Sequence, residues 1–135
     1  MIAPRSAFID ICGSRRHLLA WGDAAAPPVL MVHGLLDHAH NWDWIAAGLS
    51  DRYHVVAIDL RGHGDSDWTG PGSYALSNHV LDLGDCVHAL DLPALHLVGH
   101  SLGGHIALRF AAAFPETRPD DSATLRLHWK TGPNR

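Results

Sequence analysis

Gly99-His100-Ser101-Leu102-Gly103 sets a serine between two glycines, after the apolar stretch Leu95-His96-Leu97-Val98 and before a stretch of helical spacing. On a tight strand-to-helix turn of this kind the serine hydroxyl projects outward from a strained backbone. Neighbouring chain passes so close that the positions two before and two after the serine hold little more than a hydrogen. Gly99 and Gly103 meet that demand, and Gly104 lets the first helical turn pack closely. The N–H of Leu102 then opens a helix, where a developing oxyanion would be stabilised. The chemistry such a hydroxyl offers is nucleophilic attack on an acyl group. A glycine-rich turn with a bystander serine would show the same five letters; the strand before it and the helix after it favour the nucleophile.

Two more segments sit in comparable places. His33-Gly34-Leu35-Leu36 follows the apolar run Val29-Leu30-Met31-Val32, and Asp59-Leu60-Arg61-Gly62-His63-Gly64-Asp65-Ser66 follows the run that begins at Val55. Short runs apolar throughout suit parallel strands buried on both faces. Ala7 to Ile11 and Leu18 to Trp21 read as two further strands, a hairpin closed at Gly13-Ser14. Asn41 is expected to cap a short helix with Trp42, Ile45, Ala46 and Leu49 on one face. Ser77 is expected to cap a longer one carrying Val80, Leu83, Val87 and Leu90, and a third helix runs from Leu102 to Phe114. A hairpin followed by alternating strands and helices predicts an α/β fold with a mostly parallel sheet and crossover helices. In such sheets ligands bind beyond the carboxyl ends of the strands.

The three motifs, in this order and register over residues 1–116, resemble the α/β-hydrolase family. The resemblance implies strand order 1-2-4-3-5 with only the first hairpin antiparallel, in a fold that is truncated in this chain. Ser101 matches the family's nucleophile, and the backbone N–H groups of Leu35 and Leu102 match its oxyanion donors. His33, Gly34, Gly99, His100 and Gly103 form the loops around them. His33 and His100 are read as ordering those loops, and Arg61, His63 and Asp65 as holding the turn after the fourth strand. The resemblance implies cleavage of an ester, thioester, amide, lactone or carbon–carbon bond in a small acyl substrate, through an acyl-Ser101 intermediate. A serine here sets the chain apart from the dehalogenase and epoxide-hydrolase branches, which resemble it elsewhere. No metal or organic cofactor is implied. Asp37, His38 and His40 lack a zinc spacing such as H-E-x-x-H. Trp42, Trp44 and Trp68 are read as core or pocket wall, and Cys86 as inert.

Composition narrows the setting. The chain has 135 residues, 47% of them hydrophobic and 18% charged, which suits one buried core and argues against a low-complexity linker. No window offers the roughly 18 apolar residues of a membrane span. A net charge of -4 argues against a nucleic-acid surface. Two cysteines, Cys12 and Cys86, make no disulfide framework and fit a reducing, cytoplasmic compartment.

Residues 1–116 carry 6 basic and 12 acidic side chains, whereas residues 117–135 carry 4 and 2. The pattern changes at that boundary, so 1–116 read as the N-terminal half of a hydrolase domain and 117–135 as a divergent tail. Truncation by a frameshift is the expectation, and the coding DNA read in its other frames past Glu116 checks it. The triad acid and histidine are not recognisable, although the chain has 12 histidines. Asp120, Asp121 and His128 follow Ser101 in the right order, and residues 122–129 alternate as an edge strand would. The acid would not travel with that strand, so a surface strand or a disordered tail is expected rather than a base at His128. Two alternatives to an active hydrolase stay open: an inactive remnant or binding module, and one half of a split enzyme. Strand 95–98 would lie at an open sheet edge, which invites self-association.

Overall fold

The computed structural model describes residues 2–92 and 94–117. β1 (Arg5–Ile11) and β2 (Ser14–Trp21) form the expected hairpin, turned by Cys12 and Gly13 with φ of 53° and 81°. Both strands outrun the apolar stretches that announce them. Ser14 to His17 pair with Ile11 to Phe8 along the ladder, and Arg16 and His17 bury their side chains against partners from later in the chain.

The connection 22–27 is too short for a crossover, which takes about a dozen residues. The chain therefore turns back on itself, and β3 (Pro28–Val32) runs opposite to β2. β4 (His54–Ile58) pairs parallel with β3 and hence antiparallel with β2. β5 (His96–Gly99) pairs parallel with β3, giving the order β1-β2-β4-β3-β5. The order matches the expectation, but antiparallel pairing is not confined to the first hairpin. The sheet is mixed.

β3 leads through a 3-10 turn (Ala39–Trp42) and α1 (Asp43–Leu49) to β4 on one side of it. β4 leads through α2 (Leu76–Ala89) to β5 on the other side, and α3 (Leu102–Ala113) follows. Right-handed crossovers running in opposite directions across a sheet place their helices on opposite faces. The core divides accordingly. Leu30, Val32, Val56 and Ile58 pack with Leu83, Val87, Ile106 and Phe110 of α2 and α3. Leu19, Trp21, Val29, Met31 and Val55 pack on the other face with Ala39, Trp42 and Ala46. Each large side chain so buried contributes about 1.5–3 kcal/mol.

The expected caps differ. Trp42 and Ala75, not Asn41 and Ser77, precede the helices, and neither bonds through its side chain. Asn41 instead donates from Nδ2 to Asp37. Ile45 is half exposed, off the apolar face predicted for it. Among the described residues no helix is long and apolar enough to cross a membrane. The expected edge strand 122–129 lies outside the described residues.

Candidate active site

Neighbouring strands β3 and β5 feed loops that turn to opposite faces of the sheet, one toward α1 and the other into α3. A crevice opens beyond the carboxyl ends of strands at such a switch point. Register delivers the motifs to it. Val32 is the Cα partner of Gly99 and of Ile58, so His33-Gly34, His100-Ser101 and Asp59 leave the sheet side by side.

Ser101 stands between β5 and α3 with φ 52° and ψ −116°, is exposed, and makes no side-chain capping bond to the helix. A β-substituted residue in that region stores roughly 1–3 kcal/mol, which surrounding contacts must hold. Those contacts are steric. A β-carbon on Gly99 would meet Gly103 O at 2.4 Å, and one on Gly103 would meet Val32 O at 2.1 Å and His33 O at 2.5 Å. The glycines let the turn close against β3 itself. Leu102 is the first residue of α3, so its N–H belongs to the first-turn donors that a helix leaves without an intrahelical acceptor.

The His33-Gly34 loop lies against this turn. A β-carbon on Gly34 would stand 3.1 Å from His100 Nδ1 and 3.3 Å from Ser101 Cβ. Asp37 N donates to Gly34 O at 3.3 Å, closing a turn with Leu35 and Leu36 at its tip. Leu36 has φ 60°, a value usually left to glycine, and both leucines are exposed. His33 is fully buried and fixed at both nitrogens. Nδ1 donates to Gly34 O at 2.7 Å, and Nε2 accepts from Leu60 N at 3.0 Å. Burial pushes its pKa down, and the bond to Gly34 only partly offsets that, so the ring stays neutral. His100 N donates to Val32 O at 3.0 Å, and its half-buried ring borders Gly34.

The third motif is a brace beneath the loops. Arg61 grips Asp82 through Nε and a terminal nitrogen, at 2.9 and 2.8 Å, and donates to Ser73 O. Arg16 reaches the same buried carboxylate at 2.7 Å. His63 Nδ1 donates to Arg61 O. Asp65 contributes its N–H to Asp59, while its own side chain is 73% exposed, so it does not brace the turn as expected. Asp59 takes that place, accepting from Ala39 N, Asp65 N and His17 Nδ1. Burial would raise its pKa, but these hydrogen bonds outweigh burial and hold the carboxyl below its usual range.

Sequence reasoning missed Asp59, Asp82, Arg16 and His17 in these places. One signal was available: Asp82 interrupts the apolar face of α2 between Val80 and Leu83, where a charge needs a buried partner.

Other expected residues divide. Trp42 is buried, but Trp44 and Trp68 are 80% and 83% exposed and belong to no core. Asp37, His38 and His40 do not converge; Asp37 bonds Asn41, and His40 bonds Asp43. Among the described residues His17, Asp59 and Asp65 come within metal-ligating distance of one another, yet His17 and Asp59 are already bonded to each other. Cys86 is fully buried and its thiol is pushed up to about 12 by burial, which keeps it unreactive. Asp120, Asp121 and His128 lie outside the described residues.

The chain is similar to known proteins. A human serine hydrolase-like protein is 39% identical over 98 residues, covering 72% of this chain and 48% of its own length. Mouse epoxide hydrolase 4 is 35% identical over 105 residues, covering 77% of this chain and 29% of its own. The thioesterase domain from the curacin biosynthetic pathway superposes with a TM-score of 0.82 at 32% identity, over 87% of this chain and 44% of that domain. The chain spans about a third of the first curated relatives it matches, at 32% of their length. Ester-type and epoxide-type hydrolases match the same stretch, so likeness alone does not choose between them. The profile of the alpha/beta hydrolase fold matches residues 27–119, from the strand before His33-Gly34 to beyond α3, and the chain belongs to that family.

Proposed function

We propose that this chain carries the nucleophile of a serine hydrolase that acts on a small ester-like acyl substrate through an acyl-Ser101 intermediate. The observation that supports it is the backbone of Ser101: a left-handed, non-glycine residue, exposed, at a switch point between two sheet faces. The N–H groups of Leu35 and Leu102 would hold the oxyanion, each donor being worth a few kcal/mol in the transition state. Serine rather than aspartate at position 101 supports acyl chemistry over epoxide opening. Free Cys12 and Cys86 suit a reducing, cytoplasmic compartment.

A serine needs a base, and His33 is not one, since both of its nitrogens are committed. That observation favours the second reading, a module that keeps the pocket loops and turns nothing over. A fluorophosphonate probe separates the two. Hydrolase chemistry predicts an adduct at Ser101, mapped by peptide mass and lost in Ser101→Ala. Absence of that adduct, with no turnover of short aryl esters, would leave the inactive module. An adduct formed only when a C-terminal fragment of a relative is added would identify one half of a split enzyme.

A further inference from the structure

A second serine is bonded as a nucleophile would be. Ser6 lies on β1, an edge strand, and is exposed. Its Oγ is 2.8 Å from His17 Nε2, across the hairpin and one step diagonal to the Phe8–His17 pair. His17 Nδ1 is 2.8 Å from Asp59 Oδ2, and both residues of that bond are shut from solvent, at 3% exposure each.

The proton positions follow from chemistry. Asp59 holds its carboxylate ionised with backbone N–H donors from Ala39 and Asp65, so it can only accept. In a neutral ring the proton between them therefore sits on Nδ1, and Nε2 is the acceptor that faces the hydroxyl of Ser6. A serine that donates to a histidine, itself oriented by a buried carboxylate, is the arrangement that activates a hydroxyl. It does not involve Ser101, although Asp59 also braces the loops at the switch point.

We infer that Ser6, His17 and Asp59 form a second acyl-accepting site, in which Ser6 attacks small activated aryl esters. In the step, Ser6 Oγ bonds to the ester carbonyl carbon as its proton passes to His17 Nε2. The tetrahedral adduct collapses, the carbon–oxygen bond to the phenol breaks, and the phenolate takes the proton from Nε2. Acyl-Ser6 and a free phenol remain. Asp59 is a positioning residue that keeps the ring in the required tautomer. Phe8, half exposed, lies 5.0 Å from the His17 ring, and the Arg15 guanidinium lies over the Phe8 ring at 4.8 Å from its centroid. The exposed edge of Phe8 is the apolar flank left for the aryl group. The structure describes no oxyanion donor at Ser6, so acylation without fast release is the behaviour to expect.

The test uses full-length Ser101→Ala protein and p-nitrophenyl acetate. Intact mass should show one acetyl group, and peptide fragmentation should place it on Ser6 rather than on Ser14 of the same tryptic peptide. Ser6→Ala, at an exposed position, should abolish it and leave probe labelling of Ser101 in the parent unchanged. His17→Gln should slow acetylation by roughly a hundredfold, the usual worth of a positioned base. Should that variant unfold, the pH profile of the Ser101→Ala protein decides. With Asp59 and Asp65 the carboxylates facing the His17 ring, a serine whose proton passes to a neighbouring base shows a rate that levels off with pH. An unassisted one gains about tenfold per pH unit throughout. No acetyl at Ser6, or acetylation with that unassisted slope, overturns the inference without bearing on Ser101.

Discussion

The carbonyl oxygen of Val32 stands 2.1 Å from where a β-carbon on Gly103 would be. The end of β3 and the first turn of α3 are thus in backbone contact, and neither can yield by rotating a side chain. Gly103→Ala is expected to cost about 3 kcal/mol, at the upper end of the usual overpacking penalty. A lowered urea midpoint would record it; an unchanged midpoint would contradict the contact.

Ser101 pays for its exposure with strain, and glycine would not. Ser101→Gly should be about 1 kcal/mol more stable than Ser101→Ala, because only glycine takes φ 52° without a β-carbon clash. Both variants lose the hydroxyl. Equal melting temperatures for the two would show that the turn is relaxed.

Asp82 neutralises Arg16 and Arg61 together in a nearly dry setting. Removing its charge leaves two guanidinium groups facing each other, so Asp82→Asn is expected to cost about 3–5 kcal/mol. Burial would raise the Asp82 carboxyl, but bonds from Arg61 and Arg16 outweigh it and hold it below 3.8. Its contribution is therefore complete above that value and fades as pH falls through the lower folded pKa. Acid unfolding of Asp82→Asn should show a shallower limb below about pH 4 than the parent; an identical limb would exclude Asp82 as its source.

His79 acts in the opposite pH range. It is buried in α2, with Nδ1 unpartnered among the described residues, and burial followed by the charge of Arg61 lowers its pKa from 6.5. The fold then binds fewer protons than the unfolded chain, so stability is complete above 6.5 and falls as pH drops below it. His33 and His54 shift in the same direction. His79→Leu should reduce the slope of stability against pH between about 6.5 and 5 by at most about 1.4 kcal/mol per unit. Denaturant midpoints measured across that range would show it, and an unchanged slope would remove His79 from the account.

β5 bonds to β3 on one side and, among the described residues, to no strand on the other. Open strand edges template pairing with another chain. Light scattering should show mass growing with concentration, and Val98→Lys should suppress that growth. A concentration-independent monomer would show that the edge is covered.

Local steric rules explain why much of the site was legible. Gly99 meets Gly103 within the five residues of the turn, so that spacing already implies the strained serine, whereas the contact of Gly103 with Val32 and His33 needs β3 alongside. The apolar runs at 29–32 and 55–58 likewise announce strands buried on both faces. Asn41 and Ser77 misled because a capping residue competes with other local partners, and Asn41 found Asp37. Trp44 and Trp68 misled because size and apolarity favour burial without naming a surface to bury against.

The sequence by itself determined the order of elements, the three motif loops and the strained turn at Ser101, because each is announced by a pattern within a short stretch of chain. The tertiary structure alone decided that β2 runs antiparallel to β4, that Asp82 serves two arginines, and that Asp59 joins His17 and Ser6. Those relationships join residues up to 66 positions apart. Each depends on which strand lies beside which, and hydrogen-bonded register across a sheet is written in no single stretch of chain.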